Sequence, residues 1–166
     1  MPDVAGGMKV RLGPMAYFKD CSIYEYRSTS DPWPLENNIG WLGSGRRFNT
    51  RIPEETFLDS LWNYCKIAVN STRGIHSCEL CPGRNESIFQ RNQENLRLGW
   101  AEIRAFSRRG AIFAAPNLIY HYVLTHHYRP PDEFVEAILE EPGPSSSEYF
   151  AKLDWLGHEW IQNRLS

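Results

Sequence analysis

Cys78-Glu79-Leu80-Cys81 sets two thiols two residues apart, and His76 lies two residues before the first. Cys-x2-Cys is half of a zinc knuckle, because one tight turn can aim both thiolates at an ion about 2.3 Å away. Pro82 and Gly83, directly after, are turn formers. A tetrahedral site needs two further donors, and the richest source is the segment carrying His121, His126 and His127. Cys78-x2-Cys81 followed by His121-x4-His126 has the internal spacings of a Cys2His2 site. The gap between the two halves is far longer than in a DNA-reading finger. The pattern therefore describes a structural Zn2+ staple inside a larger domain.

The fourth donor stays open between His126 and His76. At about 100° per residue, His126 falls on the inward face of a helix with Leu118, Ile119, Tyr122 and Val123. His121 lies on its flank, roughly 140° away, so a regular helix would join them only if its last turn tightened. His76-x-Cys78-x2-Cys81 could instead give three ligands from one loop, with His121 as the fourth. Two other roles compete with metal binding. A redox dithiol wants its motif at a helix N-terminus, whereas this one follows a helix and runs into Pro-Gly-Arg-Asn. A histidine at a helix C-terminus can simply cap carbonyls. His127, where the chain must turn, reads as exposed.

The elements around these residues follow from periodicity. Phe57, Leu58, Leu61, Trp62 and Cys65 recur at helical spacing, predicting a helix from Pro53 to Val69 with Cys65 in the core. Cys21 has no metal-like neighbours and reads as core too. "IGWLG" (39–43) reads as a buried strand and "SIFQ" (87–90) as a short one. Ala101, Ile103 and Ala105 alternate with polar residues before Gly110, which predicts a hairpin over 101–114. Helices are expected over 116–127 and 131–140, opened by Pro116 and Pro131. The fold class is then α+β: a small antiparallel sheet containing that hairpin, packed by three to four helices and stapled by zinc. Residues 1–141 form one compact domain, 142–147 a Pro/Gly/Ser linker, and 148–166 a C-terminal amphipathic helix. Ser145 and Glu148 have capping-box spacing. Phe150, Leu153, Leu156 and Trp160 make that helix's stripe, with Trp155 off it.

Bulk properties exclude several function classes. The 166 residues are 42 % hydrophobic, enough for one domain with a core that needs no disulfides. The net charge of -2, with scattered basic residues, argues against nucleic acid. No apolar run reaches the about 18 residues of a membrane helix, and "MPDVAGGMKVRLGPM" lacks a secretory h-region. The expectation is a cytoplasmic protein with reduced thiols.

The stretches "GWL" (40–42), "GIHSCELC" (74–81), "LGWAEIRAF" (98–106) and "FAAPNLIYHYVLTHHYRPPDEFVEAI" (113–138) resemble an uncharacterised family of small bacterial proteins. The resemblance implies that the His-x-Cys-x2-Cys and His-Tyr-x4-His elements belong together. It implies no activity. A glycine is usual in that pattern where this chain has His127, in keeping with a left-handed turn.

No zinc-deaminase, His-Glu-x2-His, Gly-x-Ser-x-Gly or phosphate-loop motif is present. Glu79 and Glu102 could serve as acid or base but read more simply as solvated. What remains is a zinc-stabilised protein that binds another protein, of inhibitor, immunity or regulatory type. The contact would be with a partner or a second copy, through the C-terminal helix and Trp155. The alternative is a metal-dependent, hydrolase-like enzyme using the same site with an open coordination position.

Overall fold

The structure is a computed structural model, and it describes residues 16–25, 34–83, 86–140 and 142–165. It is α+β, with two small sheets and four helices among those residues. Five strands form the main sheet: β1 (Asn37–Asn38), β2 (Ile67–Val69), β5 (Glu102–Phe106), β6 (Ile112–Pro116) and β7 (Trp160–Gln162). Their order is β1-β6-β5-β2-β7. All pairs are antiparallel except β1 with β6. The second sheet is a hairpin of β3 (Ile88–Arg91) and β4 (Glu94–Arg97).

The 101–114 hairpin forms as expected. Phe106 lies opposite Ile112 and Ile103 opposite Ala115, and Gly110 takes the left-handed φ of 90° that the connection needs. Every residue of both strands is buried, the polar positions included. These are central strands covered on both faces, so the alternation at 101–105 does not mean one face in water. Helices α1 (Glu55–Cys65) and α3 (Asp132–Leu139) pack on β5.

Several boundaries differ from the sequence reading. Helix α1 stops at Cys65 rather than Val69, because Ile67-Ala68-Val69 pair with β5 and β7 as a fully buried strand. β-branched residues suit that surface better than a helix end. Pro116 does not open a helix. It ends β6 opposite Glu102, and α2 (Ile119–His126) begins three residues later. The backbone remains stitched to the hairpin meanwhile, since Asn117 donates to the Ala101 carbonyl. Pro131 does stand at the N-cap of α3, ahead of Asp132 and Glu133. Residues 39–43 are buried but form no strand, and pairing with β6 is confined to Asn37–Asn38. Cys65 is fully buried as expected, whereas Cys21 is exposed with φ 66°.

The C-terminal segment departs furthest. Helix α4 (Ser147–Trp155) is capped by Ser146, not Ser145, whose hydroxyl accepts from the Tyr149 N–H. It ends at Trp155, and Gly157 turns left-handed at φ 74° before β7 joins β2 as an edge strand. The helix expected over 148–166 therefore stops early: β7 gains backbone pairing that further helical turns would forgo. Tyr149, Leu153 and Leu156 are in the core, and the Tyr149 hydroxyl donates to the Arg104 carbonyl at 2.7 Å. Among the described residues, no helix is long and apolar enough to cross a membrane.

Candidate metal centre

Four donor atoms of Cys78, Cys81, His121 and His126 lie within 4.8 Å of one another, close enough to bind one metal ion. Cys78 Sγ is 3.3 Å from His126 Nε2, and Cys81 Sγ is 3.1 Å from His126 Nε2 and 3.4 Å from His121 Nε2. A tetrahedron with Zn–S of about 2.3 Å and Zn–N of about 2.0 Å has S···N edges of about 3.5 Å. The spacing therefore matches a small tetrahedral ion.

The two halves are positioned separately. The Cys81 N–H bonds the Cys78 carbonyl at 3.4 Å, closing the knuckle. Gly83 follows at φ 76°, and the Glu79 carboxylate accepts from the Ser44 N–H at 2.9 Å. On α2, His121 and His126 meet although five residues separate them. The last turn does not tighten. His127 and Tyr128 both donate to the Tyr122 carbonyl, so the turn is closed by bonds spanning five and six residues. The helix is closed by a left-handed cap, and the His121 and His126 rings meet with centroids 5.1 Å apart. His127 takes the left-handed φ of 54° and is exposed, as its place in the turn suggested.

The chemistry of the donors suits a cation. Burial pushes the Cys78 thiol up to about 11; the Leu80 N–H offsets this in part, and the charge of Cys81 pushes it further up. Two thiolates side by side need a positive ion to persist. Burial, and then the nearby His127, lower His126, which keeps the imidazole neutral and its lone pair available. The Nδ1 of His121 lies 3.2 Å from the Thr125 hydroxyl, the outer-shell contact that orients a metal-binding ring. Phe89 packs on the same ring, with centroids 5.2 Å apart.

His76 falls outside this group. Its main chain is engaged instead: its N–H donates to the Gly99 carbonyl at 2.7 Å, and its own carbonyl oxygen lies where a side chain at Gly99 would begin. Gly99 has φ 86°, and a Cβ there would collide with that carbonyl oxygen. Gly99→Ala should cost at least about 2 kcal/mol in urea unfolding, from left-handed strain and backbone collision. It should also weaken metal retention, since the displaced connection between β4 and β5 holds the loop leading to Cys78. Unchanged stability would contradict this close approach.

A second constellation escaped the sequence reading. Arg104 is fully buried and pairs with Glu36 through Nε and with Glu102 through Nη1. His158 Nε2 lies 2.9 Å from the same Glu36 oxygen. The Tyr24 hydroxyl donates to Glu102, and the Asn70 amide donates to both. Glu102, read as solvated, is only 9 % exposed. Glu36, Arg104 and His158 are far apart in the chain, and no local spacing announces their meeting. The one available signal was charge at 102 and 104 between apolar residues of a central hairpin.

The chain matches, over residues 16–139, the model of a family described as a domain of unknown function, DUF7919. It belongs to that family. No curated protein and no solved structure matches the chain.

Proposed function

We propose that this DUF7919 protein is a zinc-stabilised domain that acts by binding another protein, and that its metal is structural. The observation that carries the reading is the count and closeness of the donors. Two thiols and two imidazoles supply all four positions of a tetrahedral ion. A metal-dependent hydrolase needs a position left for water or substrate, and this donor set offers none. Thiolate with imidazole favours zinc over the harder ions, which prefer oxygen. A reducing compartment such as the cytoplasm would keep such cysteines available for metal.

Protein binding is supported by the C-terminal surface. Trp155 is 61 % exposed, and β7, at the sheet edge, exposes Trp160 (38 %) and Ile161 (53 %). An edge strand beside exposed aromatics can add a strand from a partner or a second copy. An inhibitor, immunity or regulatory role would use such a surface without catalysis. The expected result is that the wild type self-associates or copurifies with a stoichiometric protein from its native host. Trp155→Ala should weaken that complex by about 30-fold, the usual effect of removing an interface tryptophan, with melting unchanged. Full retention of the complex by Trp155→Ala would refute the role of this surface. Deleting 143–166 is a poorer test, because Tyr149 and Leu153 are core residues.

A further inference from the structure

A cleft of about 540 Å³ opens beside the sheet, lined by Tyr24, Trp41, His76, Trp100, Glu102 and His158 among others. Its size suits a small molecule. It lies apart from the four metal donors, none of which lines it. We propose that this cleft binds a small organic cation bearing ammonium or guanidinium N–H groups.

The first argument is donor and acceptor supply. The indole N–H of Trp41 donates to the Ala114 carbonyl at 3.0 Å, and that of Trp100 donates to the Arg97 carbonyl at 2.7 Å. The Thr72 hydroxyl faces the carbonyls of Gly74 and Trp100. The Tyr24 hydroxyl and the Asn70 amide donate to Glu102. The tryptophan, threonine, tyrosine and asparagine donors of the wall are thus spent inside the protein, and both tryptophans offer a ligand only their rings. Acceptors remain. Glu102 Oε1 accepts only from the Tyr24 hydroxyl, whereas Oε2 already accepts from Tyr24, Asn70 and Arg104, and Asn70 Oδ1 accepts no hydrogen bond among the described residues. A ligand that donates several hydrogen bonds completes such a site; one that only accepts does not.

Charge points the same way. Among the described residues no lysine or arginine lines the cleft, and Glu102 is its one carboxylate. Behind it, Glu36 and Glu102 share the single guanidinium of Arg104. Aromatic rings and a carboxylate around one cavity are the usual surroundings of a bound organic cation. Asn70 also holds a left-handed φ of 47°, a conformation kept where surrounding contacts demand it. Here it keeps the side-chain amide on Glu102 and Tyr24.

The test is titration calorimetry of the full chain with agmatine, putrescine, arginine and choline, against glutarate and propylurea. Saturable binding of agmatine, putrescine or arginine in the range below about 1 mM is expected, with glutarate and propylurea silent. Choline, a cation without N–H donors, should bind at least tenfold more weakly than the best of these. Trp100→Ala should weaken binding by about tenfold. Glu102→Gln should abolish it, and Ile52→Ala, at an exposed position away from the cleft, should leave it unchanged. If Glu102→Gln fails to fold, Trp100→Ala decides alone. No saturation by any of the cations up to about 10 mM overturns the proposal. So does equal binding of glutarate, or undiminished binding by folded Trp100→Ala.

Discussion

Replacing Cys78 by serine is expected to release the metal and lower the melting temperature by about 10–20 °C. The free energy of binding a structural metal is folding free energy, because the unfolded chain has no site. Here the staple joins the loop before residue 83 to the end of α2. Without it, the loop keeps the Thr72 and His76 N–H bonds to Trp100 and Gly99 and the Glu79 bond to Ser44. Those contacts do not offset a buried and a half-buried thiol and two histidines brought together with nothing between them. The remaining core is large, so the variant should still fold, only less stably. Elemental analysis of untagged wild-type protein should give about one zinc per chain, following from four donors for one ion, and none in Cys78→Ser. His126→Ala should behave like Cys78→Ser. His76→Ala and Cys21→Ser should keep the metal. Metal-free wild-type protein whose melting ignores a chelator would rule out the staple.

Arg104→Met is expected to cost about 3–5 kcal/mol at neutral pH, because it leaves Glu36 and Glu102 buried without their shared cation. The same cluster predicts an acid limb. Burial pushes Glu36 up, but the hydrogen bond from His158 and the charge and hydrogen bond of Arg104 outweigh it and hold the carboxyl at about 2. A depressed carboxylate stabilises the fold fully above its unfolded value, 4.5, and that stability is lost as pH falls through about 2. The difference is worth about 3 kcal/mol. Urea unfolding of the wild type should weaken between pH 4.5 and 2. In Arg104→Met, Glu36 loses a counter-charge, so the decline should begin at higher pH. A variant within about 1 kcal/mol of wild type at pH 7 would show that burying these charges costs less than general experience suggests.

The four candidate metal donors could be picked out from the chain because their spacing is local. Two thiols at a turn, and two histidines on one helix, are set by spacings of three and five residues. The hairpin was legible for the same reason, since alternation and Gly110 act over neighbouring residues. So was the core face of α1, where Phe57, Leu58 and Leu61 mark one side. Local pattern could not choose between His76 and His126. That choice depends on how the Tyr122 carbonyl is shared at the end of α2, and on Gly99 holding the His76 backbone, neither of which leaves a mark in spacing. Nor could it end α1 at Cys65 or turn 160–162 into a strand. Both segments have helical periodicity nearby; residues 67–69 yield to pairing with β5 and β7, and 160–162 to pairing with β2, partners that lie far along the chain. The buried cluster of Glu36, Glu102, Arg104 and His158 belongs wholly to the tertiary structure. Each charge alone would be driven to the surface by its hydration. Only the assembled sheet, by bringing residues 36, 102, 104 and 158 within hydrogen-bonding distance, makes their burial tolerable.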